Sequence, residues 1–338
     1  MEFGRLNGVP AELIRLTDGG CAAELISFGA ALRALWVPDR SGRLTDVVLG
    51  FDRLEDYVNQ DCYIGATVGP VANRIAGAAC LLGRKVLTLD RNDGENCLHS
   101  GAAGLNRVVW DVAEATRNEV RFVCTHPDGR GGIPGPIRFA VRYRLEGPRL
   151  TVEYRAVSER DTLCNLTNHS YFNLNGQGSG SVAGHRIAIH AAAFTPTDSH
   201  SIPTGELRSV EGTPMDLRKP TRIGDGLDSD DVQIRQARGY DHNWALDGRS
   251  PAAVAEGDRS GIRLTLETDR PGVQFYTGNY LPAGMAGKGS AVYGPRSGFC
   301  LETQAFPDAP HHAGFPSIFL PAGQVWESRT VFGFSVAL

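Results

Sequence analysis

Arg138-Phe-Ala-Val-Arg-Tyr-Arg-Leu145 and Leu150-Thr-Val-Glu-Tyr-Arg-Ala-Val157 decide the fold of this 338-residue chain. Both are rich in β-branched and aromatic residues, and a short stretch holding glycine and proline separates them, which reads as two paired strands. Segments of the same kind recur about every ten residues. Upstream lie Glu12–Leu16, which alternates in the strand manner, Ala23–Leu35 broken by Gly29, Asp46–Leu49, Lys85–Leu89, Val108–Ala113 and Val120–Thr125. Downstream lie His185–His190, Arg263–Thr268, Val273–Thr277, Phe299–Gln304 and Thr330–Val336. Helical periodicity is nearly absent, and Leu54–Val58 amounts to one turn at most. The 41 glycines and 19 prolines are spread evenly, which supplies turns throughout. The expectation is an all-β protein, a large antiparallel β-sandwich with few short helices. No linker, repeat or shift in composition breaks the chain, so residues 1–338 read as one domain.

Composition excludes several classes. With 41% hydrophobic and 21% charged residues, the chain can bury a large core. A net charge of −4 and the lack of a basic cluster leave no footprint for nucleic acid. No apolar run approaches the ~18 residues of a membrane span, and Met1–Gly8 lacks a basic n-region followed by an apolar core, so no signal peptide is expected. The seven cysteines are odd in number, scattered and free of CxxC pairs, which predicts reduced thiols in a cytoplasm. There is no GxxxxGK[ST] loop, no dinucleotide fingerprint and no HExxH, and neither His311-His312 nor the run Asp225–Asp231 has metal-ligand spacing. Asn165-Leu-Thr and Asn168-His-Ser fit the glycosylation sequon, which in such a chain reads as coincidence.

Polar residues with chemical capacity gather in a few stretches. Asn165-Leu-Thr-Asn-His-Ser-Tyr-Phe-Asn-Leu-Asn175 places His169 among hydroxyls and amides, groups that can hold a polyol while the imidazole trades a proton. Alone, His169 reads first as a histidine with its hydrogen bonds satisfied at a polar strand end. Asn73 and Arg74 close a small-residue segment, and His99 precedes a glycine turn. Asp241 adjoins His242, while Gln274 sits in a strand. Glu302 stands inside an otherwise apolar strand, where a carboxylate is either paired or functional, because an unpaired buried charge is costly. These features by themselves reach a large β-sandwich with a polar, sugar-compatible cleft.

The ordered motifs resemble those of the galactose mutarotases, or aldose 1-epimerases, almost end to end. They are Val37-Pro-Asp-Arg40, Val47-Val-Leu-Gly-Phe-Asp52, Gly65–Ile75, Leu98-His99, Thr167–Leu174, Thr195-Pro-Thr197 with Ile202–Glu206, Gly212–Leu217, Tyr240-Asp-His242, Gln274 with Thr277-Gly-Asn279, and Leu301-Glu-Thr-Gln304 with Phe306-Pro-Asp308. The resemblance implies a galactose mutarotase-like supersandwich that binds a free hexose without metal or organic cofactor. It implies Glu302 as general base and His169 as general acid, with Arg74, Asn73, His99, Asp241 and, more weakly, Gln274 as substrate ligands. The chemistry fits such a pair. Opening a cyclic hemiacetal removes the proton of the anomeric hydroxyl and protonates the ring oxygen, and reclosure on the other face of the aldehyde reverses both roles. His169 must then be held cationic, a task a nearby carboxylate would serve. Two departures stand out: Pro70 where many relatives carry arginine, and Ser100 in place of the glycine that usually follows the Leu-His histidine. The expected partner is a small aldose, with the chain a monomer or weak dimer. Alternatives are a hexose-6-phosphate 1-epimerase, a noncatalytic sugar-binding protein on the same fold, and a glycosidase using Glu302 with Asp241.

Overall fold

In the computed structural model, which describes residues 1–336, Ile137–Glu146 and Arg149–Ser158 are adjacent antiparallel strands in continuous register. Ile137, Phe139, Val141, Tyr143 and Leu145 are buried, and the residues between them face outward. That is the two-residue period of a strand with one face in the core. On the outer face Arg142 lies between Glu119 at 3.3 Å and Glu153 at 3.1 Å. Gly147, at φ +55°, takes the left-handed conformation the tight turn requires.

These two strands belong to a nine-stranded sheet, which continues through Val325–Val336, Ile262–Thr268, Ala253–Glu256, Arg186–Ile189 and Thr221–Arg222. On its other side come Glu119–His126 and Asp111–Ala115. An N-terminal sheet of five strands runs from Glu2–Leu6 to Leu44–Asp46. A second five-stranded sheet is ordered Arg208–Ser209, Ala193–Thr195, Asp241–Ala245, Gly272–Tyr276, Cys300–Gln304. Strand pairing is antiparallel throughout these three sheets. Tyr143 ties the nine-stranded sheet to the N-terminal one by donating its hydroxyl to the Ala30 carbonyl at 2.8 Å. One apolar cluster draws on residues from Leu16 to Phe334, and a second, around Phe51, Tyr57, Tyr171, Tyr276 and Cys300, lies beneath the cleft.

The all-β sandwich expected from the sequence is what forms, with differences of detail. Ala23–Leu35 divides into Cys21–Ile26 and Ala31–Pro38, because Gly29 and Ala30 both adopt positive φ. Asp46–Leu49 is a strand only to Asp46, after which Val48 makes a single bridge to Phe172. Val108–Ala113 pairs from Asp111 onward. Three short α-helices form among the described residues. Leu54–Val58 was expected as a turn, whereas Ile223–Leu227 and Val232–Ala237 give too little length for a periodic signal. The last is capped by Asp231, whose carboxylate accepts the Gln233 amide at 2.8 Å, so one member of the acidic run has a structural task.

Candidate active site

Glu302 and His169 stand 133 positions apart, and a single backbone bridge brings them together. Phe172 and Phe299 exchange amide hydrogen bonds of 2.7 and 2.9 Å. The bridge falls three residues after His169 and three before Glu302. His169 is fixed again by its own amide, which donates to Ala66 at 2.9 Å, and by its carbonyl, which accepts from Gly65 at 3.0 Å. His169 Nε2 then lies 3.7 Å from Glu302 Oε1. Both residues are buried, at 4% and 2% exposure, yet both line a cleft of about 520 Å³, a volume suited to a small ligand.

Strand register places the rest of the floor. Asp241 pairs with Tyr276 and Tyr276 with Cys300, while Asn243 pairs with Gln274 and Gln274 with Glu302. With a period of two, these six side chains share one face of the sheet. The opposite face gives Trp244, Phe275 and Leu301 to the main core. Glu302 is therefore a carboxylate on the polar face of a strand whose other face is apolar. Asp241 and Tyr276 line the cleft, whereas Gln274 stands behind it and donates its amide to Asp241 Oδ1 at 2.7 Å. Gln274 is thus placed as a support of Asp241 and does not form part of the cleft wall.

The facing wall carries Asn73, Arg74 and His99. Arg74 Nε donates to Asp93 at 2.7 Å, and although burial opposes its charge, Asp241 and Asp93 hold its pKa above the ordinary value. Asn73 and His99 both adopt positive φ. The Asn73 amide donates to His99 Nδ1 at 3.0 Å. Burial, with His169 and Arg74 nearby, pushes the His99 pKa far down, so the ring is neutral and carries its proton on Nε2. Ser100, at φ +66°, accepts the Val71 amide at 2.9 Å and donates to the Val71 carbonyl at 3.1 Å. The hydroxyl therefore braces the His99 turn.

His99, His169 and Glu302 bring potential metal-binding atoms within 4.8 Å of one another. The hydrogen bonding does not suit a cation, however. A metal-bound histidine usually donates from its second nitrogen, whereas His99 Nδ1 accepts. A cation on Nε2 would have to displace the ring proton and break the bond to Asn73.

Burial, with the Asp241 charge adding and Arg74 opposing, raises the Glu302 pKa well above that of a free carboxyl. Burial lowers His169 to about 4. Desolvation outweighs the carboxylate at 3.7 Å, so the cationic His169 that acid catalysis requires is not the form that burial favours. Together the two shifts favour carboxylic acid with neutral imidazole, a pair that holds the same number of protons as carboxylate and imidazolium. Glu302 Oε2 is buried with no hydrogen-bond partner among the described residues, so this carboxyl group retains bonding capacity that the protein leaves unused. The sequence pattern did not point to Tyr63, Asp93, Tyr276, Tyr280 or the Ser199–Ser201 edge, which also line the cleft. Tyr63 and Asp93 come from loops without periodic signal, while Tyr276 was readable from its parity with Gln274. Asn165 and Asn168 are buried, which bears out the sequons as coincidence.

A sequence model of the aldose 1-epimerases matches residues 12–333. This chain belongs to the aldose 1-epimerase family. It is 45% identical to galactose mutarotase of Bos taurus, over 96% of this chain and 94% of that protein. It is 43% identical to that of Homo sapiens over 99% and 98%, and 34% identical to aldose 1-epimerase of Escherichia coli over 97% and 96%. The crystal structure of a GalM/aldose epimerase homologue from C. elegans superposes with a TM-score of 0.90 at 30% identity, covering 97% of this chain and all of that one. The sandwich and the enzyme class expected from the sequence are those of the aldose 1-epimerases.

Proposed function

We propose that this aldose 1-epimerase interconverts the α and β anomers of free hexoses, D-galactose and D-glucose among them, with Glu302 as base and His169 as acid. The observation that carries the reading is the buried Glu302–His169 pair, 3.7 Å apart at the floor of the cleft. As sugar hydroxyls enter, they supply Glu302 with the hydrogen bonds it lacks and favour its ionised form. The proton of Glu302 shifts to His169, which creates base and acid together. Glu302 takes the proton of the C1 hydroxyl while His169 protonates the ring oxygen and the C1–O5 bond opens. After rotation about C1–C2, His169 removes the C5 hydroxyl proton as that oxygen attacks C1, and Glu302 returns a proton to O1. His99 Nε2–H, Arg74, Asn73 and Asp241 hold hydroxyls or the ring oxygen, with Gln274 keeping Asp241 in place.

The cleft wall argues for neutral sugars over hexose 6-phosphates. Asp61, Asp93, Asp241 and Glu302 line it against one guanidinium, that of Arg74, which Asp93 already engages. The reading extends to one domain over residues 1–338, of which 337 and 338 lie outside the described residues. It extends also to a cytoplasmic location, supported by seven free cysteines, and to a monomer or weak dimer. No helix among the described residues is long and apolar enough to cross a membrane. Polarimetry on freshly dissolved α-D-galactose, α-D-glucose and galactose 6-phosphate tests the function. Acceleration of the free sugars is expected, and a protein that binds them without hastening anomer exchange would refute it.

A further inference from the structure

Asp308 is buried at the exit of the Glu302 strand and makes no contact with the cleft, yet it gathers bonds from two of the cleft walls. It adopts φ +56°, a conformation aspartate tolerates better than most residues. Its amide donates to the Arg74 carbonyl at 2.9 Å, and its Oδ1 accepts the Ala76 amide at 2.9 Å. The two bonds bracket Ile75 and clamp the segment that carries Arg74. That segment otherwise has a ladder of two residues, Arg74–Ile75 against Cys97–Leu98, following the left-handed Asn73. The Asp308 carboxylate also meets His311 Nδ1 at 2.6 Å and His312 Nε2 at 3.4 Å. The His312 ring in turn packs on Gly205, where an added Cβ would lie 2.7 Å from Nδ1. Gly205 ends the loop whose Ser199–Ser201 edge lines the cleft.

We infer that Asp308 is a positioning residue for sugar binding, fixing Arg74 and the Ser199–Ser201 edge relative to the Glu302 strand. The inference rests on the proposed role of Arg74 as a sugar ligand. Because Asp308 acts on a wall and not on the proton-transfer pair, its removal affects KM and spares kcat.

Mutarotation kinetics test this. Asp308→Ala is expected to raise KM for α-D-galactose about tenfold with kcat within about threefold. Asp308→Asn keeps an acceptor oxygen and tolerates the backbone, so both parameters should stay within about threefold of wild type. In an Arg74→Lys background, Asp308→Ala should add less than about twofold, because residues that act through one another are not additive. Should Asp308→Ala fail to fold, Asp308→Gly, which keeps the left-handed turn and loses only the carboxylate, carries the same test. Unchanged KM in a folded variant, a loss confined to kcat, full additivity with Arg74→Lys, or failure of both variants to fold would each overturn the assignment. Wild-type turnover is measured first. Its absence would count against the proposed function and not against Asp308, whose effect is then read from the galactose Kd by calorimetry.

Discussion

The pairs Lys288–Asp46 and His169–Glu302 each set a buried side chain of one potential charge beside its opposite, and they differ in how well the protein satisfies them. Lys288, 4% exposed, spends its three ammonium hydrogens on Asp46 at 2.7 Å, the Arg33 carbonyl at 2.6 Å and the Val48 carbonyl at 2.9 Å. Glu302 is equally hidden, yet one of its oxygens has no partner among the described residues and its histidine stands off at 3.7 Å. A fully bonded buried charge fixes local structure. An under-bonded one at the floor of a cleft keeps capacity that substrate hydroxyls can take up. Burial alone does not separate the two cases; the unfilled lone pairs do.

Breaking each pair should therefore produce different losses. Glu302→Gln and His169→Asn should each lower kcat by roughly 10²–10⁴-fold with the fold retained, as read by polarimetry with circular dichroism alongside. Near wild-type turnover in either would remove it from the mechanism. The wild-type rate should also follow a bell-shaped pH profile, because only the singly protonated pair is productive. Lys288→Met should show the reverse, a stability loss on the order of 1–3 kcal/mol in urea unfolding, since the Arg33 and Val48 carbonyls lose their buried donor and Asp46 its partner. Its kcat at a temperature where it is folded should stay close to wild type. A catalytic loss without a stability loss would erase the distinction.

Acid should expose the cost of the buried imidazoles. Burial lowers His126, His169 and His185 to about 4 and His242 to about 3. Between about pH 6.5 and those values the unfolded chain binds protons that the native histidines refuse, so stability falls as pH falls through that window. The raised pKa values of Glu302 and Asp241 act in the opposite sense, but two carboxyls face these four histidines and His99, which burial also lowers. A urea midpoint that rises from pH 6.5 to pH 4 would contradict this balance. The smallest effect is expected at Cys300, whose thiol lies 3.4 Å from His169 Nδ1. A thiol is a weak hydrogen-bonding group, so Cys300→Ala should leave kcat within about threefold. A larger loss in a stable variant would mean that the sulfur orients the imidazole.

Much of this was legible in the sequence, for physical reasons that can be named. The strand period and the glycine–proline punctuation act locally, so Arg138–Leu145 and Leu150–Val157 announced the sandwich without its tertiary contacts. Glu302 was conspicuous because a carboxylate amid apolar residues must be bonded or used. The ordered motifs pointed to the family and supplied His169, Arg74, Asn73, His99 and Asp241, which the structure gathers on the walls of one cleft. Helices of five or six residues, Ile223–Leu227 and Val232–Ala237, lie below the length at which periodicity declares itself.

What the sequence determined by itself was which residues to propose for the chemistry, since that choice follows from side-chain type and local order. The tertiary structure decided their states. It closed the gap between His169 and Glu302 through the Phe172–Phe299 bridge and set the His99 tautomer through the Asn73 amide. It set Gln274 behind the cleft wall as a support of Asp241, and by excluding water it shifted the pair toward neutral imidazole and carboxylic acid. Desolvation and bonding across sheets depend on neighbours distant in the chain, so no local pattern encodes them.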